Sequence, residues 1–296
     1  MNADPPPSSS PQTPPPRPRV LPGFRLTLGF TVFYLSLLLL IPLGALLLRS
    51  TQLGWADFWR HVSSPRALAA YRLTFTASAI AGLINVVGGT LLAWVLTRYA
   101  FPGRRLLDAL IDVPFALPTA VGGLALASVY SPTGWMGRWF APGSPLGDLF
   151  GPDGLKLAYS RIGVVIALTF VSLPFVVRTV QPVLESLDRS IEEAAACLGA
   201  GRGRTFLTVI LPALVPSILT GFTLAFARAV GEFGSIQFIS SNVPFKTQIA
   251  PQLIIEKLDA YELEGAVAIA VFLLVVSFVI LAAINLLESW TRRFQS

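Results

Sequence analysis

The chain has 296 residues, of which 53% are hydrophobic and only 13% are charged, and its mean hydropathy is +0.67. A soluble domain usually carries about 25% charged residues, so the composition excludes an ordinary soluble protein and predicts an integral membrane protein. The net charge of +6 is typical of lysine and arginine in membrane loops, and we expect membrane lipid and no nucleic acid as a partner.

The first 22 residues differ from the rest of the chain. They hold nine of the 24 prolines and no long apolar run, so they cannot bury a core. We expect residues 1–22 to be a disordered or polyproline-like cytoplasmic tail, either plainly solvated or carrying a proline-rich partner motif. No apolar segment followed by a cleavage site is arranged as in a signal peptide. Residues 23–293 are then the transmembrane domain.

Six segments are candidates for transmembrane helices, each of which needs about 20 apolar residues. They are residues 24–48, 73–96, 109–130, 162–177 (extendable toward 183), 213–230 and 266–287. The third and fourth are the weakest, because prolines interrupt the former and the latter is short. The apolar piece 249–255 is too short to cross and contains Pro251, so we expect residues 247–258 to form a re-entrant or outer-surface helix. The predicted class is an all-α membrane protein with about six spans.

The orientation follows from the positive charges. With both termini in the cytoplasm, twelve arginines fall inside and nine lysines and arginines fall in longer outside loops. The short segment between the second and third spans, with Arg98, Arg104 and Arg105, is the best local evidence, since short loops count most. We therefore expect both ends of the chain to be cytoplasmic.

The third span contains the stretch IDVPFALPTAVGG at residues 111–123. Pro114 and Pro118 should distort the helix and free backbone groups, which is tolerated only where protein or a watery cavity satisfies them. Broken helices are typical of transport paths, so both prolines are candidates for the translocation path or gate. A kinked packing helix with small interface residues is an equally good interpretation.

The longest cytoplasmic connection, residues 184–212, follows the fourth span. Apolar residues recur there at spacings of three and four, which predicts a helix face. Ser190 and Glu193 match a capping box that would start a helix at Ile191, whereas the apolar stripe would start it earlier, and the pattern leaves the two open. Gly199 stands where a helix must stop. The prediction is helix, glycine turn, helix, with a solvated amphipathic hairpin as the alternative to a docking element.

Arg228 and Glu232 are charged residues near the outer end of the fifth span. A charge at the centre of a transmembrane helix costs on the order of 2.5–3.5 kcal/mol, so such residues call for a functional hypothesis. Four residues apart, the two can pair on a helix. We interpret them either as a satisfied ion pair or as a gate that attracts an anion.

The residues of the 184–212 loop resemble the pattern E-A-A-x-x-x-G-x(9)-I-x-L-P of ABC-importer permease subunits. The matching residues are Glu193, Ala194, Ala195, Gly199, Leu211 and Pro212. Val209 replaces the isoleucine, and Gly203 stands where many relatives have an aromatic residue. The resemblance implies that this loop docks on an ATPase subunit and transmits its closure to the spans, with Glu193 as an interface residue.

The wider chain, residues 20–293, resembles the T (or U) permease subunit of sulfate/thiosulfate ABC importers. That resemblance implies the type I importer permease fold, the bacterial cytoplasmic membrane, a homologous W-type permease subunit, two ATPase subunits and a periplasmic sulfate-binding protein. The P-T-A-V and G-E-F-G pieces also resemble molybdate permeases, so molybdate or tungstate remains an alternative anion.

The sequence contains no G-x-x-x-x-G-K-[ST] phosphate loop, so we expect ATP to be bound by a partner. The single cysteine, Cys197, excludes an internal disulfide, and the single histidine, His61, has no neighbouring metal ligand. We expect no catalytic site, metal or cofactor, and no enzyme. A secondary anion transporter is the alternative of a different class, although the spans hold few titratable groups for proton coupling.

Overall fold

The computed structural model describes residues 23–293, except for the side chains of Arg25 and of residues 287–293. The tail predicted for residues 1–22 lies outside the described residues. The chain divides into two units, Met1–Leu48 and Arg49–Ser296. The described part contains helices and turns and no β-strand, which confirms the predicted all-α class.

We number the α-helices of the described residues in chain order. They are α1 Phe24–Thr51, α2 Trp55–Val62, α3 Pro65–Arg98, α4 Arg104–Ile111, α5 Val113–Ala116, α6 Thr119–Tyr130, α7 Arg161–Ser186, α8 Arg189–Cys197, α9 Arg202–Thr205, α10 Leu211–Val230, α11 Gly234–Ile239, α12 Ala250–Asp259 and α13 Leu263–Arg293. Two 3-10 turns lie between α6 and α7, and a π-helical turn, Phe206–Ile210, joins α9 to α10.

Five stretches of the described residues are helical, long and apolar enough to cross a membrane. They are Leu26–Thr51, Pro65–Arg98, Arg161–Ser186, Arg202–Val230 and Leu263–Leu286. These correspond to all the predicted spans except the third. In place of a single helix over residues 109–130, the chain forms α4, α5 and α6, of eight, four and twelve residues. The prolines of that segment therefore break the helix instead of bending it.

Two of the long helices, α3 and α7, begin at side-chain caps. The Ser64 hydroxyl accepts a hydrogen bond from the backbone N–H of Ala67, and Pro65 occupies the first turn of α3, where its missing N–H costs nothing. The Ser160 hydroxyl accepts from the N–H groups of Ile162 and Gly163 at the start of α7. Helix α3 starts eight residues before the predicted residue 73, because its polar first turns belong to the helix, whereas α7 starts only one residue before the predicted residue 162.

The core is formed by α3, α7 and α10. Gly89 of α3 and Gly221 of α10 both face Val176 of α7, so closely that an added Cβ would lie 3.0 Å from Val176 atoms. Small residues at such positions let helix backbones approach closely, which is how helices associate in a membrane. Asn85 brings a polar side chain into this core, where its amide donates to the Thr169 carbonyl at 3.0 Å and to the Ser172 hydroxyl at 2.8 Å.

A second buried cluster joins α2, α3, α12 and α13, with the Tyr71 and Phe272 rings 4.8 Å apart. The predicted short helix at 249–255 is present as α12, with Pro251 in its first turn. Beside it the Arg66 guanidinium donates to the Glu256 carboxylate at 2.6 Å and to the side-chain amide oxygen of Gln248 at 2.8 Å. This hydrogen bond from Arg66 holds the pKa of Glu256 below its ordinary value.

Candidate functional site

The loop predicted at residues 184–212 begins with a break between two helices. Helix α7 ends at Ser186, and the Asp188 carboxylate accepts a hydrogen bond from the Ser190 N–H at 2.9 Å. Asp188 is therefore the N-cap of α8, and this backbone hydrogen bond lowers its pKa. The capping box was wrong, because Ser190 does not cap a helix at Ile191; α8 starts earlier, as the apolar stripe indicated, but only at Arg189, since Leu187 and Asp188 separate it from α7. The ionised carboxylate of Asp188 accepts the N–H more strongly than a hydroxyl does.

Helix α8 stops at the predicted glycine. Gly199 has a φ of +82°, a conformation that favours glycine, and it follows the helix's last residues directly. Its N–H donates to the Ala196 carbonyl at 2.9 Å, and the Ala200 N–H donates to the Ala195 carbonyl at 3.0 Å. These two bonds form a Schellman motif, which satisfies carbonyls that the helix end leaves free.

The second half of the loop enters the membrane span through irregular turns. Helix α9 is followed by the π-helical turn, in which the Leu211 N–H bonds to the Phe206 carbonyl five residues earlier. Pro212 has no N–H to continue the regular pattern and lies in the first turn of α10. Single π-turns inside helices are frequent at functional sites. The predicted helix, turn, helix order of the loop is confirmed.

The loop exposes apolar surface. No residue of α8 is buried, Leu198 is 88% exposed, and Ile191 and Leu207 are exposed as well. The predicted contact residues Glu193 and Ala194 are exposed, and Ala195 is half-buried. Several exposed apolar side chains on one loop of a polar surface are typical of an interaction site.

The two adjacent acids of the loop have different surroundings. A carboxylate oxygen of Glu192 lies 2.8 Å from the guanidinium of Arg98 at the end of α3, and the Arg98 side chain is 9% exposed. Arg98 also donates to the Leu187 carbonyl and lies over the Trp94 ring at 5.8 Å. The side chain of Glu193 makes no hydrogen bond or ion pair with any residue that the structure describes. Glu192 thus binds the loop to its own chain, while Glu193 is available to a partner.

A cleft of about 850 Å³ lies between α3 and the loop. Its wall includes Trp94, Arg98, Glu193, Gly203 and Phe206. No atom lies within 4 Å of a Cβ added at Gly203, so the aromatic position expected from the resemblance is open space here. The Phe206 ring meets Trp94 edge-on at 5.2 Å, so the aromatic contact in this region is made three residues later.

The third predicted span breaks twice. Asp112 ends α4 and precedes α5, and Pro114 is buried in the first turn of α5. The second break lies at Leu117, which has an extended backbone (ψ 135°) because the following Pro118 disfavours the helical conformation. The distortion predicted from both prolines is confirmed. Pro118 itself is exposed at the start of α6.

A charged cluster missed by the sequence analysis holds the first break. Arg178 of α7 donates to both carboxylate oxygens of Asp112, at 2.9 and 2.6 Å, and to the Asp108 carboxylate at 2.8 Å. It donates further to the Asp108 carbonyl at 3.0 Å. The sequence contained a sign of this cluster. Asp108 and Asp112 are four residues apart at the C-terminal end of α4, and Arg178 lies inside the neighbouring span.

The pieces P-T-A-V-G-G and G-E-F-G come together where α6 packs against α11. A Cβ added at Gly123 would overlap the backbone carbonyl of Ser235, and one added at Gly234 would overlap the Thr119 hydroxyl. Arg228 and Glu232 form the predicted ion pair, and Glu232, 2% exposed, also accepts from the Ser235 N–H at 2.9 Å. Sixteen residues of α10 separate Pro212, at the end of the 184–212 loop, from Arg228, which is about 24 Å along the helix.

The described residues contain no group of three or more histidine, cysteine, aspartate or glutamate side chains that could hold a metal ion. Cys197 is exposed at the end of α8.

Comparison with known proteins gives consistent matches. Residues 85–293 match the family model described as "binding-protein-dependent transport system inner membrane component". The chain is 49% identical over 264 residues to the sulfate transport system permease protein CysT of a Synechocystis strain, covering 89% of each chain. Its structure is similar to a bacterial ABC transporter chain involved in alginate import, with a TM-score of 0.73, 18% identity, and coverage of 92% of this chain and 96% of that one. It is also similar to an alginate transporter solved with its pentasaccharide-bound periplasmic protein, with a TM-score of 0.71 and 19% identity over 88% and 92% of the two chains.

Proposed function

This chain belongs to the family of binding-protein-dependent transport system inner membrane components and, within it, to the sulfate transport system permeases, and we propose that it is a sulfate- and thiosulfate-translocating subunit of an ATP-driven importer. The observation that carries the proposal is the 49% identity to a sulfate permease across nearly the whole of both chains. The fold shared with the alginate importers supports the transport class.

We propose that the 184–212 loop is the coupling element and faces the cytoplasm together with both termini. The contacts with an ATPase partner are assigned to Glu193, Ala194, Ala195, Gly199, Leu211 and Pro212. Supporting this, α8 buries none of its residues inside the chain, and the sequence has no phosphate-binding loop of its own. ATP bound by the partner supplies the energy. This chain supplies a rigid α8, fixed at one end by Asp188 and at the other by the Gly199 turn.

We assign the translocation path to the region of Pro114, Pro118, Arg228 and Glu232. An unpaired arginine in the path would bind a dianion tightly and slow its release. Because Glu232 neutralises Arg228, the pair attracts sulfate more weakly than an unpaired arginine would. Weak attraction lets the anion pass, whereas tight binding would hold it in the path. Gate opening is then a separation of α6 from α11, whose contact lies directly beside this pair.

Further subunits complete the proposal. The related alginate transporter was solved with a periplasmic protein, and we infer that a periplasmic sulfate-binding protein delivers the anion here. A homologous W-type permease would form the other half of the path, and two ATPase subunits would dock on the two coupling loops.

The test is uptake of labelled sulfate by the complete complex reconstituted in vesicles. We expect uptake that requires ATP, the binding protein and the ATPase, with competition by thiosulfate and little by molybdate or tungstate. Stronger competition by molybdate than by thiosulfate would assign the alternative anion. Sulfate uptake by this chain alone, without ATP, would overturn the proposal in favour of a secondary transporter.

A further inference from the structure

The cluster of Arg178 with Asp108 and Asp112 lies outside both the loop and the proposed path. Arg178 donates four hydrogen bonds to these two residues, and the Gln181 side chain accepts a fifth at 2.9 Å. The pair with Asp112 is bidentate, the arrangement in which a guanidinium fixes both the distance and the orientation of a carboxylate. The cluster therefore joins α7 to the break between α4 and α5 in one defined geometry.

The position of Arg178 on α7 connects it to the loop. Eight residues separate it from Ser186, the last residue of α7, which corresponds to about 12 Å along the helix. Only Leu187 and Asp188 lie between α7 and α8. A displacement of α8 therefore has a short route into α7, and Arg178 is close to the end that moves.

On the other side of the cluster, Asp112 is the junction residue of the broken span. It ends α4 and precedes α5, and α5 is followed after Pro118 by α6, which packs against α11. Because α5 has only four residues, it has little stability of its own and takes its position from its neighbours. Arg178 holds Asp112, the residue directly before α5, through two of these hydrogen bonds.

We propose that Arg178 is a positioning residue for transport, through which movement of the coupling loop on α7 reaches the broken span at Asp112. The proposal rests on the proposed function, since it takes the 184–212 loop as the element that the ATPase moves. Asp112 is the principal acceptor and Asp108 the secondary one, because Asp112 receives two charged hydrogen bonds and Asp108 receives one at its carboxylate.

A second contact between the same helices makes the idea testable without unfolding the chain. The Phe115 and Phe175 rings meet edge-on at 5.1 Å, so α5 remains packed on α7 when the charged cluster is removed. Arg178→Gln and Asp112→Asn should therefore give assembled complexes. Arg161→Gln is the matched control: Arg161 lies on the same helix and also donates two hydrogen bonds, to the carbonyls of Lys246 and Phe245, but at the far end from the loop.

Two quantities are measured in the reconstituted complex. The first is sulfate imported per ATP hydrolysed, which we expect Arg178→Gln to lower on the order of tenfold, Asp112→Asn by somewhat less and Asp108→Asn least. The second is the maleimide labelling rate of Ala116→Cys on a Cys197→Ser background, with and without ATP. We expect ATP to change that rate in the background protein, and Arg178→Gln to abolish the change while ATP hydrolysis continues.

The outcomes separate the two proposals. Unchanged coupling and an unchanged ATP response at position 116 in Arg178→Gln and Asp112→Asn would overturn the role of Arg178, as would an equal loss in Arg161→Gln. A further outcome is that the complex imports no sulfate while ATP still changes the labelling rate at position 116 and Arg178→Gln still abolishes that change. In that case the role of Arg178 stands and the proposed substrate is wrong.

Discussion

The 184–212 loop and the α6–α11 contact both carry sequence motifs of the permease family, but they are built in opposite ways. Helix α8 buries no residue and presents apolar side chains such as Leu198 to the surroundings. At the α6–α11 contact, Gly123 and Gly234 lie against their neighbours with no space for a side chain, and Glu232 is fully buried beside them. The first region leaves its apolar side chains exposed, whereas the second is packed within this chain.

This difference predicts where substitutions act. Changes at the α6–α11 contact should lower the stability of the isolated chain, because its packing partners are internal. Changes at the exposed residues of the loop should leave the isolated chain folded and act mainly on what the complex does.

Gly123→Leu should have the largest effect. The added side chain would have to displace the Ser235 backbone, and overpacking of this kind costs about 3 kcal/mol of unfolding free energy. We expect a clearly lower thermal unfolding midpoint of the purified chain in detergent. The control is Gly203→Leu in the loop, where a Cβ meets open space. Equal midpoints for the two variants would contradict the contrast.

Glu232→Gln should have the next largest effect. It removes the negative partner of Arg228 and weakens the acceptor of the Ser235 N–H, at a cost of about 2 kcal/mol. The double variant Arg228→Gln/Glu232→Gln should regain part of that loss, because no unpaired charge remains. Thermal unfolding of the two variants measures the difference. A double variant less stable than Glu232→Gln would show that the two residues do not act as a pair.

Among the described residues, the ion pair of Glu192 with Arg98 joins the loop to α3. We expect Glu192→Gln to cost about 1 kcal/mol, since Glu192 is partly exposed and water screens the pair. The local effect should be larger than the global one: protease cleavage within residues 198–204 should accelerate, whereas the unfolding midpoint should barely change. Glu193→Gln is the control, and it should not affect cleavage in the isolated chain. Faster cleavage in the control alone would reverse the roles assigned to the two acids.

Acid should weaken the contact between Arg66 and Glu256 by a small amount. The hydrogen bond from Arg66 lowers the pKa of Glu256 in the folded chain below its ordinary value of 4.5. The stabilisation is therefore fully present above about pH 4.5 and is lost as the pH falls through the lowered folded value. Because both side chains are partly exposed, we expect about 0.5 kcal/mol. The unfolding midpoint is measured at pH 7 and at pH 3. The decrease between the two pH values should be smaller for Glu256→Gln than for the unchanged chain, and an equal decrease would contradict the assignment.

Much of this architecture could be predicted from the sequence. The length of the apolar segments was enough to locate five of the spans. A membrane helix satisfies its backbone hydrogen bonds internally, so its position depends little on contacts with distant residues. The stop at Gly199 and the breaks at Pro114 and Pro118 were also predictable, since they depend on the backbone preferences of single residues. The pairing of Arg228 with Glu232 followed from their spacing of four.

Other features depend on residues distant in the sequence. The sequence could not show that Glu192 contacts Arg98 while Glu193 stays free, because the choice is set by the direction in which α8 leaves α7. That direction follows from the cap at Asp188, which was overlooked in favour of Ser190. Arg178 was counted only as a positive charge of an inside loop, and its partners became visible when α4 and α7 were placed side by side. The roles of the loop and path residues remain predictions.

The central claim is that the Gly199 turn converts ATPase closure into movement of the spans. It is tested by sulfate imported per ATP hydrolysed in the complete complex with Gly199→Val. Valine is strained at the Gly199 φ of +82°, so the turn should change shape, and the ratio should fall on the order of tenfold while the chain still inserts and ATP is still hydrolysed. Gly201→Val adds the same side chain two residues away at a φ of −69° and should retain most of the coupling. A Gly199→Val complex with the ratio of the unchanged protein would contradict the account.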